Sequence, residues 1–155
     1  MRYEILGLAA LTTLLCEGAE AAKATSVICG DFKGVSVFSG AQSGNGIATD
    51  GVRGPITFEI SNSGVVRDVR YFKASAGTER SALQDGSKVT SKWLTGDATL
   101  LRVTVVWPET REEFAIAQGA DGKINASMSS VRDVGYSRML VASGTCTSSD
   151  KNFLQ

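Results

Sequence analysis

Residues 100–130 read LLRVTVVWPETREEFAIAQGADGKINASMSS, and the spacing of their apolar side chains decides the fold. Leu101, Val103, Val105 and Trp107 alternate with Leu100, Arg102, Thr104 and Val106. Phe114 and Ile116 alternate with Glu113, Ala115 and Ala117; Ile124, Ala126 and Met128 alternate with Asn125, Ser127 and Ser129. A period of two sends successive side chains to opposite faces of a strand, so one set is buried and the other meets water. Between these runs stand Pro108-Glu109-Thr110-Arg111, where proline presets φ, and Ala120-Asp121-Gly122-Lys123, whose Asp-Gly pair suits a hairpin with positive φ. Three strands joined by two hairpins are predicted, neighbours in space as in the chain.

The same period extends upstream. Ile56, Phe58 and Ile60 alternate with Thr57, Glu59 and Ser61, and Asn62-Ser63-Gly64 reads as the next hairpin turn. Further strands are predicted at 27–30, 34–39, 65–74, 88–94 and 136–146. The expected fold class is all-β: one antiparallel meander of about eight strands, forming a barrel or a sandwich, with at most one short helix. Residues 40–54 hold five glycines and are expected to form a mobile loop that serves in binding. Residues 78–85 suit one or two helical turns, with Thr78 as cap and Gly86 as stop. In 65–74 neither face is cleanly apolar: Arg67 shares parity with Val65, Val69 and Tyr71. A strand whose second face is covered, an edge strand, or a β-bulge that swaps faces explains this better than an inward arginine lining an anion-binding cavity, because an unpaired buried charge is costly.

The chain has 155 residues, which suits one domain with a real core. Three segments are expected: a signal peptide at 1–24, an antiparallel β domain at 25–146 and a polar tail at 147–155. In the first, Arg2 precedes an apolar run from Ile5 to Cys16, and Ala19-Glu20-Ala21 and Ala22-Lys23-Ala24 offer small residues at cleavage spacing. The run is too short to span a bilayer, which takes about 20 apolar residues. The mature form is therefore expected to be exported, periplasmic or secreted, and not membrane-spanning. Removing the leader takes Cys16 away and leaves Cys29 and Cys146, an even pair that reads as a disulfide in an oxidising compartment.

Composition excludes much chemistry. The chain has no histidine, which removes Ser-His-Asp, Cys-His and His-ligated metal sites together. Its 16 basic and 16 acidic residues balance, which argues against a nucleic-acid partner. Ser148-x-x-Lys151 lies in a polar tail without the companion motifs of serine–lysine enzymes. Gly44-x-Gly46 lacks the third glycine of a phosphate loop, and no Asp-rich calcium loop occurs. Glu112 and Glu113 are adjacent, so on a strand they point to opposite faces and cannot form one acid/base pair. No catalytic residue, metal or cofactor is expected.

Two groups remain as candidates. Arg67, Arg70, Lys73, Arg80, Lys88 and Lys92 outnumber the acids between 67 and 92 and could offer a binding surface to a protein or an anionic envelope component. Trp93, Trp107 and Phe114 fill the core or line a pocket for a small apolar ligand. A leader, a small β domain and a cysteine near each end resemble, in architecture, the exported lysozyme inhibitors of bacteria. That resemblance implies an inhibitor-type binding module. Lys73-Ala74-Ser75-Ala76-Gly77 has the wrong order for their serine-glycine loop, so no residue role is carried over. Ligand-carrying meander barrels are a second analogy, by fold alone. The expectation is an exported, non-enzymatic binding protein of the bacterial envelope; a carrier with a site inside a barrel comes second, and a hydrolase working without histidine comes last. A partner-binding module predicts a filled core and an exposed patch, a carrier predicts an internal cavity, and an enzyme predicts a buried carboxylate pair in a cleft.

Overall fold

A computed structural model describes residues 25–39, 46–96, 98–132, 137–150 and 153–154. The expected signal peptide at 1–24 and positions 40–45 of the expected loop lie outside the described residues.

The fold is all-β and antiparallel. Among the described residues, eleven strands run β1 (Thr25–Cys29), β2 (Phe32–Ser39), β3 (Gly46–Val52), β4 (Ile56–Ile60), β5 (Val66–Lys73), β6 (Thr78–Ser81), β7 (Lys88–Leu94), β8 (Leu100–Val106), β9 (Thr110–Gln118), β10 (Ile124–Arg132) and β11 (Ser137–Ser148). They form one sheet in the order β6-β5-β4-β1-β11-β10-β9-β8-β7, with β2 also on β11 and β3 on β2. The sheet curls so that its concave face encloses the core. The three strands of 100–130 pair as neighbours, Val103 opposite Phe114 and Phe114 opposite Met128. Their turns close as the residue types require: Trp107 N–H donates to Thr110 C=O at 2.8 Å, and Gly122 carries φ +77°.

β11 is the central strand, and its one edge is shared. Its second half pairs with β1, Cys29 directly opposite Cys146, and its first half pairs with β2, Lys33 opposite Ser143. Between those pairs three residues of β1–β2 face two of β11, a bulge at which Gly30 N–H still reaches Thr145 C=O at 2.8 Å. β3 and β4 follow the same bend. Asp31 Oδ1 accepts the Gly54 N–H at 2.8 Å across it. The Cys29–Cys146 disulfide joins β1 to β11, across a sequence separation of 117.

Phe114 is the centre of the core. Its ring meets Phe58 edge-on at 5.1 Å and Phe32 at 6.1 Å. Val27, Ile56, Val69, Leu101, Val103, Val105 and Ile116 complete a fully buried layer around it. The open seam of the curl, between β5 and β7, is bridged by side chains: Val66 N–H donates to Ser91 Oγ at 3.0 Å, and Trp93 Nε1–H donates to Gly64 C=O at 2.7 Å.

Two expectations are corrected. Residues 46–52 are not loop but strand β3, paired along its length with β2, Phe32 opposite Val52 through Phe38 opposite Gly46. Residues 78–81 are not helical but strand β6, paired with β5, and a turn at 82–86 follows. In both places pairing to a finished neighbour overrides weak local propensity. The last strand also runs past Cys146 to Ser148, and Phe153 beyond it packs on Trp93, centroids 5.4 Å apart.

A cleft and an apolar row at one end of the sheet

The inward set of β9 runs Ile116, Phe114, Glu112, so the strand that builds the core also carries a carboxylate to its end. Glu113 points the other way and pairs with Arg111 Nη2 at 2.6 Å. Opposite, the inward set of β5 runs Val69, Tyr71. The two meet across the concave face: Tyr71 Oη donates to Glu112 Oε2. Trp107 Nε1–H points at the same oxygen from 3.5 Å, and its ring tilts against Tyr71 at 5.8 Å. Burial raises the Glu112 carboxyl above its ordinary value, while the Tyr71 and Trp107 hydrogen bonds pull it back. Burial, then the Glu112 charge, drives the Tyr71 phenol far up, so it stays protonated and remains the donor. The arrangement is a hydrogen-bonded brace between β5 and β9 beneath an open cleft.

That cleft holds about 500 Å³ and is lined by Arg80, Trp107, Pro108, Glu109, Glu112 and Arg132. Arg132 Nη2 reaches Glu109 at 3.1 Å, and Arg80 Nη2 reaches Asp85 at 2.7 Å. On the other side of the Trp107-Pro108 corner lies a second, more apolar cleft of about 400 Å³, with Val106 and Val131 in its walls. Farther along the concave face, Asp50 accepts hydrogen bonds from Ser36 Oγ, Gly51 N–H and Arg138. These donors, Ser36 foremost, hold the Asp50 carboxyl below its usual range against the opposing effect of burial.

The outer face at the same end is different. Val131 lies opposite Met139, Met139 opposite Val37, and Val37 opposite Ile47, one row across four strands. The next row sets Val141 opposite Val35. All six side chains are exposed: Ile47 is 77 % exposed and Val141 55 %. Ser129 and Thr49 end the second row, and the two rows from β10 to β3 carry no charge. Isolated exposed apolar residues are ordinary, but a contiguous set on one sheet face is the usual mark of a docking surface.

The residues singled out from sequence are distributed as follows. Arg67 points outward and is the extra residue of a β-bulge, because Glu59 pairs with Asp68 and Ile60 with Val66. Arg70 pairs with Glu59 at 2.7 Å. Lys73 ends β5, while Lys88 and Lys92 lie on the exposed face of β7, Lys92 opposite Arg102. The six basic residues thus span three strands, β5, β6 and β7. Trp93 and Trp107 lie at opposite ends of the β7–β8 pair, with Phe114 buried between them. Sequence reasoning passed over Tyr71 and Glu112 as a pair, although each continues the inward parity of its strand. It also passed over Val35, Val37 and Val141, whose outward parity only the pairing of β2 with β11 brings together. No family model matches this chain, and neither do any characterised protein or solved structure.

Proposed function

We propose that this chain is a non-enzymatic binding protein of the bacterial envelope that docks a protein partner on the outer face of β10, β11, β2 and β3. The observation that carries this reading is the uncharged double row of Val131, Met139, Val37, Ile47, Val141 and Val35, exposed on the face opposite the buried cluster around Phe114. A partner covering it gains roughly 25 cal/mol for each Å² of apolar surface removed from water. The neighbouring cleft at Trp107 offers a pocket for an anchoring side chain, the setting in which binding hot spots form. Export into an oxidising compartment is supported by the leader pattern and by the Cys29–Cys146 bond. The carboxyl of Glu112 is engaged by Tyr71 and Trp107 of the fold itself, which favours a structural over a catalytic role.

The test is photo-crosslinking in the native host from a benzophenone residue placed at Met139, in the wild type and in Val141→Asp. A discrete crosslinked polypeptide that disappears in Val141→Asp, at an unchanged melting temperature, is the expected result. A crosslink indifferent to Val141→Asp overturns the docking surface. A reproducible small-molecule adduct on the protein in native mass spectrometry would replace the reading with that of a carrier.

A further inference from the structure

The curled sheet ends in three strand edges, and they are not alike. β6 has four residues and carries Glu79 and Arg80. β7 carries Lys88 and Lys92, and its edge is tied through Ser91 to β5 and through Trp93 to the turn at Gly64 before it. Short length, charge, lysine and cover are the devices that stop a sheet edge from accepting another strand. Among the described residues β3 has one of them, the inward charge of Asp50. It is seven residues long, contains no lysine or proline, and among the described residues pairs with β2 alone. Its one charge, Asp50, lies on the concave side, bonded to Ser36 and Arg138. Ile47, the most exposed large apolar residue among those described, stands on this edge at the end of the row that runs back through Val37 and Met139 to Val131.

We infer that β3 is the acceptor edge for an extended segment of a partner polypeptide, which adds to the sheet as a further strand and places alternate apolar side chains beside Ile47. The inference rests on the docking reading above and names how the partner binds. Main-chain hydrogen bonds along the edge supply affinity, and the apolar row supplies selectivity for residues two apart. A second copy of β3 fits poorly. Among the described residues, pairing Ile47 with its own counterpart overlaps only 46–48, and longer antiparallel overlaps bring Thr49 or Gly51 beside it.

The probe is a fluorescein-labelled eight-residue peptide of alternating valine and threonine with terminal lysines, titrated by anisotropy. Two further versions carry N-methyl groups on the valine amides or on the threonine amides. Strand addition requires that one methylated version lose at least tenfold in affinity and the other bind as the parent does, since only one set of amides faces β3. Ile47→Lys should also weaken the parent peptide at least tenfold, and bound peptide should slow amide exchange within β3. Equal binding of all three peptides would show side-chain adhesion and overturn strand addition, as would no binding. Concentration-dependent dimerisation abolished by Ile47→Lys, without peptide binding, would overturn it in favour of self-pairing. The failures separate: if Val141→Asp blocks the crosslinked partner but no peptide binds, strand addition falls and the docking surface stands. If the partner ignores Val141→Asp, the docking surface itself falls.

Discussion

Glu112 shows how much a single side chain owes to its register. Glu113 beside it is exposed and paired with Arg111, while Glu112 continues the core row and is bonded to Tyr71 and Trp107. Because burial raises its carboxyl above the ordinary 4.5, the folded chain binds this proton more tightly than the unfolded chain. That contribution to stability is complete below the unfolded value and is lost as pH rises through the folded one. Denaturant unfolding at a series of pH values should therefore show wild-type stability falling above 4.5 with a component that Glu112→Gln lacks. Tyr71→Phe should cost about 1–3 kcal/mol near neutral pH, because it leaves a buried carboxylate short of its best donor. An equally stable Tyr71→Phe would mean that water replaces the phenol without loss. Arg67 carries a parallel lesson. Its clash of two parities was legible, but a bulge was one of several explanations until the register of β5 on β4 decided for it.

At the scale of elements, nine of the strands follow from alternation, and β3 and β6 do not. GIATDGV in β3 has two glycines and an aspartate, all poor in strands, and it is held by a β2 that is itself close against β11. Gly34 marks how close: a Cβ there would lie 1.9 Å from the Val141 carbonyl oxygen. Gly34→Ala should push β2 off β11 and destabilise the fold by about 1–3 kcal/mol, read from the denaturation midpoint. It should also disturb β3, which β2 carries. The disulfide acts on the same central strand farther along. In the chain-entropy picture, closing so long a loop stabilises by about 4–5 kcal/mol. Cys29→Ser should melt well below the oxidised wild type, and the two should converge once the wild type is reduced. Equal melting of the oxidised forms would show that the bond adds little to what the β1–β11 ladder already supplies.

For the whole molecule, the decisive feature is the contrast between its two faces. The concave face is packed at the centre and polar at the Trp107 end. The convex face over β10, β11, β2 and β3 is apolar and uncharged along two rows. Charge pairs elsewhere on the surface, such as Arg70–Glu59 and Arg111–Glu113, are exposed and add little. Partner docking on the apolar rows should then survive a rise from roughly 0.1 to 1 M salt, over which exposed charge interactions are screened. Affinity that collapsed over that range would move the site to the basic residues of β5 and β7.

Alternation and turn chemistry by themselves determined an all-β antiparallel meander, the inward side of most strands and the hairpins at 62–64, 108–111 and 120–123. These are local properties: a period of two and a turn residue act within a few positions. Tertiary structure alone decided that β11 serves β1 and β2 on one edge, that 46–52 is a strand, that Tyr71 meets Glu112, and that Val35, Val37, Ile47, Val131, Met139 and Val141 form one surface. Each of those joins residues far apart in the chain, and what brings them together is the register of one strand on another, which no local pattern of side chains encodes.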